Sequence, residues 1–312
     1  MNRRRNDRRC GLVLRGAGRM PAAVIAVFGR GVLVIGLLLS SVAHAAAEAP
    51  DLMQTLVAQD ATLNNNLTPI EPRWQRNSGG RTLALGFGVE KMLSPSLELE
   101  IGGEWISSSP RHGPARAGFG NVNLELKYVF LERPNFQIAV APRLDFPTSS
   151  HIADEPMQVH AGGLISWGGR LGSSIVEHGW PGYLRAIEFQ GDLGYSRGFG
   201  SAHDDELFFD PVLDYSMPYL GYSSELRIPW PLRNLCFFDE LNFSQPLGGS
   251  GHGGLSMFTT PGVAYLTDTY QATVGIQLPL THGAEHNTQT AVIGSLIIFI
   301  DKLNPQFGWS PF

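Results

Sequence analysis

Between residues 81 and 300 apolar and polar positions alternate with a period of two. In GFGNVNLELKYVF (118–130), Val122, Leu124, Leu126, Tyr128 and Phe130 share one parity, and Asn121, Asn123, Glu125 and Lys127 share the other. After a turn at 132–135 the alternation resumes. Phe136, Ile138, Val140, Pro142, Leu144 and Phe146 take one side, and Gln137, Ala139, Ala141, Arg143 and Asp145 take the other. Successive side chains on a strand point to opposite faces, so each segment has one apolar and one polar face. Two such strands joined by a short turn form a hairpin.

The pattern predicts twelve segments of about ten residues: 82–90, 96–105, 118–130, 136–146, 157–167, 183–196, 207–216, 219–229, 234–245, 255–266, 270–280 and 290–300. Gly, Pro, Asn, Asp and Ser clusters separate them, and no helix-period stretch of any length interrupts them. Strands of 9–11 residues suit a tilted crossing of a bilayer. Aromatics near strand ends (Trp105, Phe130, Phe146, Trp167, Tyr195, Trp230, Tyr265, Tyr270) suit an interfacial girdle. The predicted fold is an antiparallel transmembrane β-barrel of about 12 strands (10–14) over residues 81–301, followed by a tail at 302–312. Only closure satisfies every backbone group in lipid.

Two features strain this picture. With the C-terminus periplasmic, counting strands backwards puts the short 132–135 turn outside and the longer 107–117 and 147–156 connections inside, against the usual asymmetry. Either 207–229 is one bent strand or a strand near 67–76 is missing from the count. Residues 290–300 are apolar on both parities, so that strand is expected to pack against something inside the barrel, the 51–61 segment being the candidate.

Ahead of the barrel, residues 46–80 are expected to be a periplasmic segment and linker. DLMQTLVAQDA (51–61) has Leu52, Thr55, Leu56 and Gln59 at helical spacing, which predicts a short amphipathic helix there. A tether is the first reading of this region and a plug inside the barrel the second. Residues 1–45 read as a cleaved signal peptide, with the apolar run GVLVIGLLLSSV (31–42) and Ala43-His44-Ala45 as a small-x-small cleavage pattern. The run is short for a spanning helix, and a start at Met20 would give a signal of ordinary length. Arg8-Arg9 as a twin-arginine signal lies far from the apolar run.

Charged residues make up 16% of the chain, below the average for soluble domains, while 37 glycines are plentiful. Losing residues 1–45 removes eight arginines and one aspartate, leaving 15 basic and 27 acidic residues and a formal charge of −12. That disfavours nucleic acid and anionic lipid surfaces as partners. Cys10 leaves with the signal, Cys236 stands alone, and no disulfide framework is available. An exported chain without disulfides must draw its stability from the sheet.

GFGNVNLELKYVF (118–130), PRLDFPT (142–148), PGVAYLTDTYQATVGIQLPL (261–280) and DKLNP (301–305) resemble the exported outer-membrane proteins grouped as "MetA-pathway of phenol degradation". The resemblance spans most of residues 80–305. It implies an outer-membrane barrel engaged in uptake of a hydrophobic or aromatic solute, and it brings no catalytic motif. Phe312 fits the terminal aromatic of a barrel assembly signal; Gln306, Gly308 and Ser310 do not fit the alternation before it, so strand 290–300 is the alternative signal.

The polar parity carries the candidate site. Glu98, Glu100, Glu104, Glu125, Lys127, Arg143, Asp145, Glu188, Asp192, Asp210, Asp214, Glu225 and Arg227 are predicted to line the lumen. In a water-filled pore these groups would set selectivity and favour cations; in a narrow barrel they would cross-pair into a structural network; they could also form a site for a specific ligand. Of the histidines after residue 45, His160 alone falls on a predicted strand, and the His282–Glu285–His286 and His203–Asp204–Asp205–Glu206 groupings lack ligand spacing on a regular element. Ser149-Ser150-His151 and Ser250-Gly251-His252 lack the strand–turn–helix elbow of a nucleophile. PLGGSGHGGL (246–255) reads as a loop, because no helix follows to cradle phosphate. No enzyme, cofactor or metal is called for.

The expected partners are outer-membrane lipid, the barrel assembly machinery and a small-molecule solute. The first functional reading is a monomeric channel or transporter. The second is a non-conducting structural or adhesive barrel that meets a partner through loops 107–117, 147–156, 169–182 and 246–255. The third is a soluble periplasmic β-protein.

Overall fold

The computed structural model describes residues 52–133, 135–146, 148, 159–177, 179–199, 205–224, 226–247 and 254–307. The predicted signal peptide, Ser149 to His151, His178, His203, Asp204, Glu225 and Ser250 to His252 lie outside the described residues. Twelve strands follow in order: β1 Asn66–Arg76, β2 Gly80–Ser94, β3 Leu97–Pro110, β4 Arg116–Arg133, β5 Phe136–Phe146, β6 Val159–Gly169, β7 Ile187–Phe199, β8 Asp205–Ser216, β9 Leu235–Pro246, β10 Ser256–Leu266, β11 Tyr270–Pro279 and β12 Thr290–Phe299. Each is antiparallel to its chain neighbours, and β1 closes on β12 from Asn66↔Phe299 to Arg76↔Thr290. Closure leaves no sheet edge, which is what a backbone in lipid requires.

Alternation sorts the two faces as predicted. Phe87, Ile101, Phe130, Ile165, Leu193 and Leu213 point outward and are exposed. Glu98, Glu125, Lys127, Gln190, Asp192 and Glu240 point inward and are buried. A molecule in water turns its charges out; a barrel with an oily wall and a charged interior is built to span a membrane.

Two strand assignments change. Predicted strand 219–229 is instead helix α2, Met217–Ser223, followed by coil, so the predicted lumen position Arg227 is an exposed loop residue. Ser216 caps the helix by accepting from Tyr219 N–H, and Pro218 stands in its first turn, where a missing N–H costs nothing. The missing strand is β1, which falls in the predicted 46–80 linker. Its own Pro69 sits where the register shifts against both neighbours, between Leu67 and Ile70 facing β12 and between Thr68 and Glu71 facing β2. A bulge leaves that position unpaired, so a missing N–H costs little.

After the exchange the 132–135 turn falls at the same end of the barrel as the end of β12, opposite the 107–117 and 147–156 connections. The tight connections at 95–96, 134–135 and 267–269 share the barrel end that holds Asn66 and Phe299 (the near end). The far end carries the connections at 147–158, 247–255 and 280–289. Two long near-end connections are structured. The first holds α1, Leu171–Glu177, and a 3-10 turn, Gly182–Ala186; the predicted strand 183–196 therefore starts only at Ile187. The second holds α2 and a 3-10 turn, Leu232–Asn234. At the far end, α3 (His282–Asn287) is capped by the Thr281 side chain; at the near end, α4 (Ile300–Leu303) follows β12. Trp230 Nε1 donates to the Tyr265 hydroxyl at 3.2 Å, and the Tyr265 and Tyr270 rings lie 6.4 Å apart, giving the near end its aromatic belt.

Candidate functional site: a plugged lumen

Residues 52–65 do not form the predicted helix and are not a tether outside the barrel. They run without regular structure through the lumen, and most are buried. A chain without its own hydrogen-bond ladder must find partners for its peptide groups elsewhere. Lumen side chains supply them. The N–H groups of Leu56, Val57 and Ala58 converge on the Glu240 carboxylate at 2.6, 2.9 and 3.3 Å. Gln59 N donates to Asp192, and Asn64 N donates to Glu98. Gln54 N donates to Gln271 Oε1 at 3.1 Å while Gln271 Nε2 returns a bond to the Gln54 carbonyl at 2.6 Å. Gln190 Nε2 holds the Met53 carbonyl at 2.9 Å. The plug is thus fastened from β3, β7, β9 and β11, on several sides of the barrel.

Apolar contacts seat the same segment. Met53, Leu56 and Ala58 join Val212, Cys236, Phe238, Ala264, Ala291 and Ile293 in one dry cluster. This accounts for the double-sided apolarity of strand 290–300: Ala291 and Ile293 face the plug, while Val292 faces outward. Ala61, backed by Leu63, packs on Val129 and Ala139 of the opposite wall. Two lumen glycines make room. A Cβ on Gly275 would stand 2.8 Å from Leu56 Cδ1, and one on Gly168 would overlap Leu52.

Lys127 is the electrostatic hub. Its buried ammonium lies 3.2 Å from Glu98, 3.5 Å from Asp60 and 3.3 Å from the Thr62 carbonyl, tying the plug to β3 and β4. Burial pushes the Asp60 carboxyl up from its ordinary value; the Lys127 charge and the Thr62 N–H, 2.9 Å away, pull it down. At the near end, Arg170 lies 3.4 Å from Glu188, which stands opposite Asp214, and Gln190 donates to Asp214 at 3.2 Å. Asp192 and Asp210 are likewise opposed. Arg143 pairs with Asp145 at 3.1 Å, both half-exposed within the lumen.

Beside the plug remains a cavity of about 560 Å³, walled by β1 to β6 and β12. Its charged lining comprises Asp60, Glu71, Glu90, Glu100, Glu104 and Asp145 against Arg73, Lys127 and Arg143, with His160 also on the wall. Of the predicted lumen residues, Glu100, Glu104, Lys127, Arg143 and Asp145 meet here. Glu98 and Asp192 serve the plug, Glu125 is buried on β4 beside Glu100, and Glu188, Asp210 and Asp214 belong to the β7–β8 wall. Glu240, Glu90, Glu71, Arg73, Gln190 and Gln271 were not among the predicted residues. The first two were legible from parity: Glu240 follows Asp239 on a strand, and of two adjacent side chains one must face inward. Glu71 and Arg73 were hidden in the presumed linker.

His282 Nδ1 lies 3.1 Å from Glu285 on an exposed turn, and no group of three or more His, Cys, Asp or Glu among the described residues is placed to hold a metal ion. Cys236 is buried, its thiol 3.8 Å from the Ser216 hydroxyl.

A closed twelve-stranded barrel with an apolar outer wall, a charged lumen and an internal plug defines the class: a porin-like membrane barrel. Among solved structures, the COG4313 outer membrane channel from Pseudomonas putida F1 is similar over 79% of this chain and 99% of its own, with 11% identity and a TM-score of 0.50. The NanC porin matches over 74% of this chain and 98% of its own (8% identity, TM-score 0.47), and the KdgM porin over 73% and 97% (10% identity, TM-score 0.43). No family model and no curated protein matches the sequence.

Proposed function

We propose that this chain is an outer-membrane channel for a small polar solute, shut in this structure by residues 52–65. The observation that carries this reading is the way the plug is held. Its peptide groups bond to side chains of the lumen, groups that water could equally satisfy, so the segment can leave without unpairing the barrel. The charged cavity wall favours a solute with a polar or cationic group; the hydrophobic or aromatic solute that the sequence resemblance implies would need to carry one. The segments that carry the resemblance to the "MetA-pathway of phenol degradation" barrels fall in β4, β5, the β10–β11 hairpin and α4, and we carry membership of that family as part of the proposal. The aromatic near-end belt and outer wall fit lipid, and a barrel of this kind calls on the outer-membrane assembly machinery.

One observation favours a non-conducting structural barrel: the dry cluster around Met53 and Leu56, which gives the plug an apolar seat as well as hydrogen bonds. Planar-bilayer recordings decide between them. The channel reading expects rare, small openings from the exported protein and larger, frequent ones from a Gly275→Val variant, in which Leu56 loses its seat. Silence from both proteins would leave the structural barrel.

A further inference from the structure

Glu90, Glu100 and Glu125 occupy one row across three adjacent strands. Glu90 is directly opposite Glu100 on β2–β3, and Glu100 is directly opposite Glu125 on β3–β4. All three face the lumen. Directly opposed like charges destabilise a sheet, because their Cβ atoms stand only about 4.5–5.5 Å apart. The row keeps three in succession. Arg143, next in line opposite Glu125, is engaged with Asp145 instead.

The three carboxylates differ in how they are satisfied. Glu90 accepts from Gln54 Nε2 at 3.0 Å and from Asn66 Nδ2 at 2.9 Å. Glu100 forms no ion pair or hydrogen bond with the described residues and lines the cavity. Glu125 is 1% exposed, and neither of its oxygens has a hydrogen-bond partner. A buried polar group left bare costs about 1–3 kcal/mol, more when charged. So the middle and end of the row lack a donor, next to a cavity whose volume falls in the range of small-ligand pockets.

We propose that this row is a binding site for an organic cation, a small molecule carrying an ammonium or guanidinium group. Its charged head lies between Glu100 and Glu125, and its body occupies the cavity beside Glu90. A bare metal ion is the poorer fit. Two strand steps span roughly 10 Å, so the three carboxylates cannot converge on one ion, and among the described residues no metal-holding group of three is present. A second ammonium on the same molecule would reach Glu90 and compete with Gln54 for it. Solute binding would then weaken one of the bonds that hold the plug, and by linkage an undocked plug would bind the solute more tightly. The site deepens the channel reading by naming the charge of the solute; binding is measured without passing current, so failure of binding and failure of conduction are separate results.

The test is calorimetric titration of the detergent-solubilised protein, plug included, with 1,5-diaminopentane, pentylamine, pentanoate and magnesium chloride at matched ionic strength. The expected result is saturable binding of the diamine, weaker binding of the monoamine and none of pentanoate. A Glu100→Gln/Glu125→Gln double variant should lose at least tenfold in diamine affinity while keeping the heat-modifiable migration of a folded barrel. If the double variant fails to fold, Glu100→Gln alone carries the test, since that side chain borders open space. Absence of diamine binding to the unaltered protein, unchanged affinity in the folded variant, or competition by magnesium at equal concentration would each overturn the proposal.

Discussion

At the scale of single residues, the plugged lumen concentrates its electrostatic weight on one ammonium. Lys127 serves Glu98, Asp60 and the Thr62 carbonyl with almost no access to water. Breaking a buried ion pair from one side strands the other charge, at about 3–5 kcal/mol. Lys127→Met should therefore lower the urea midpoint of the barrel in detergent, and adding Glu98→Gln should recover part of the loss. If Lys127→Met leaves the midpoint unchanged, the hub is solvated and the network idea is wrong. On the outer wall, Gly191 holds φ +153, and a Cβ there would stand 2.9 Å from Pro211 Cα and 3.0 Å from the Trp167 ring. Trp167 covers this glycine as it packs 5.8 Å from Phe209 and 6.4 Å from Phe189, centroid to centroid. Gly191→Ala should cost about 1–3 kcal/mol by the same urea measurement, and a silent substitution would mean that the backbone relaxes freely there.

At the scale of elements, the plug is a guest that its host accommodates with glycines and carboxylates. Glu240→Ala would orphan three consecutive amides while leaving Leu56 in its seat, whereas Gly275→Val would unseat Leu56 and leave the carboxylate in place. Both should expose residues 52–65 to added protease in detergent while β1 to β12 stay resistant, and protection of the segment in both variants would refute the fastening described here. The strands themselves were legible because burial on one face writes a period of two into the sequence. The two errors came from prolines. Residues 219–229 show period-two polarity with Glu225 and Arg227, yet the Ser216 cap and Pro218 start a helix just ahead of them. β1 carries Pro69 and Pro72 among polar residues, yet a bulge absorbs the first. A bulge depends on the neighbours' register, which local sequence does not contain. The plug was legible only from its host: strand 290–300 was too apolar on its inner parity to face water, and it meets Met53 and Leu56. The plug's own sequence misled, since its helical spacing of Leu52 and Leu56 reflects seats on two walls of a barrel rather than one face of a helix.

For the molecule as a whole, the distribution of charge decides what an open lumen would pass. The cavity sets six carboxylates against three fixed cations; the plug's departure would take Asp60 away and uncover Glu240 and Asp192. Low-dielectric walls focus that excess into the conduit, so the current should be carried mainly by cations. In a potassium chloride gradient the reversal potential of Gly275→Val should sit on the potassium side and move toward zero as salt rises and screening shortens. The carboxylates should not contribute equally. Glu100 and Glu104 border the cavity, so Glu100→Gln/Glu104→Gln in the Gly275→Val background should reduce the potential. Glu98 is spent on Lys127 and the Asn64 amide, so Glu98→Gln should weaken the fold more than the selectivity. Anion-selective current from the unplugged barrel, or equal effects of all three substitutions on the potential, would mean that ions do not travel past the cavity wall, and the conduit would have to be sought along the β7–β9 side.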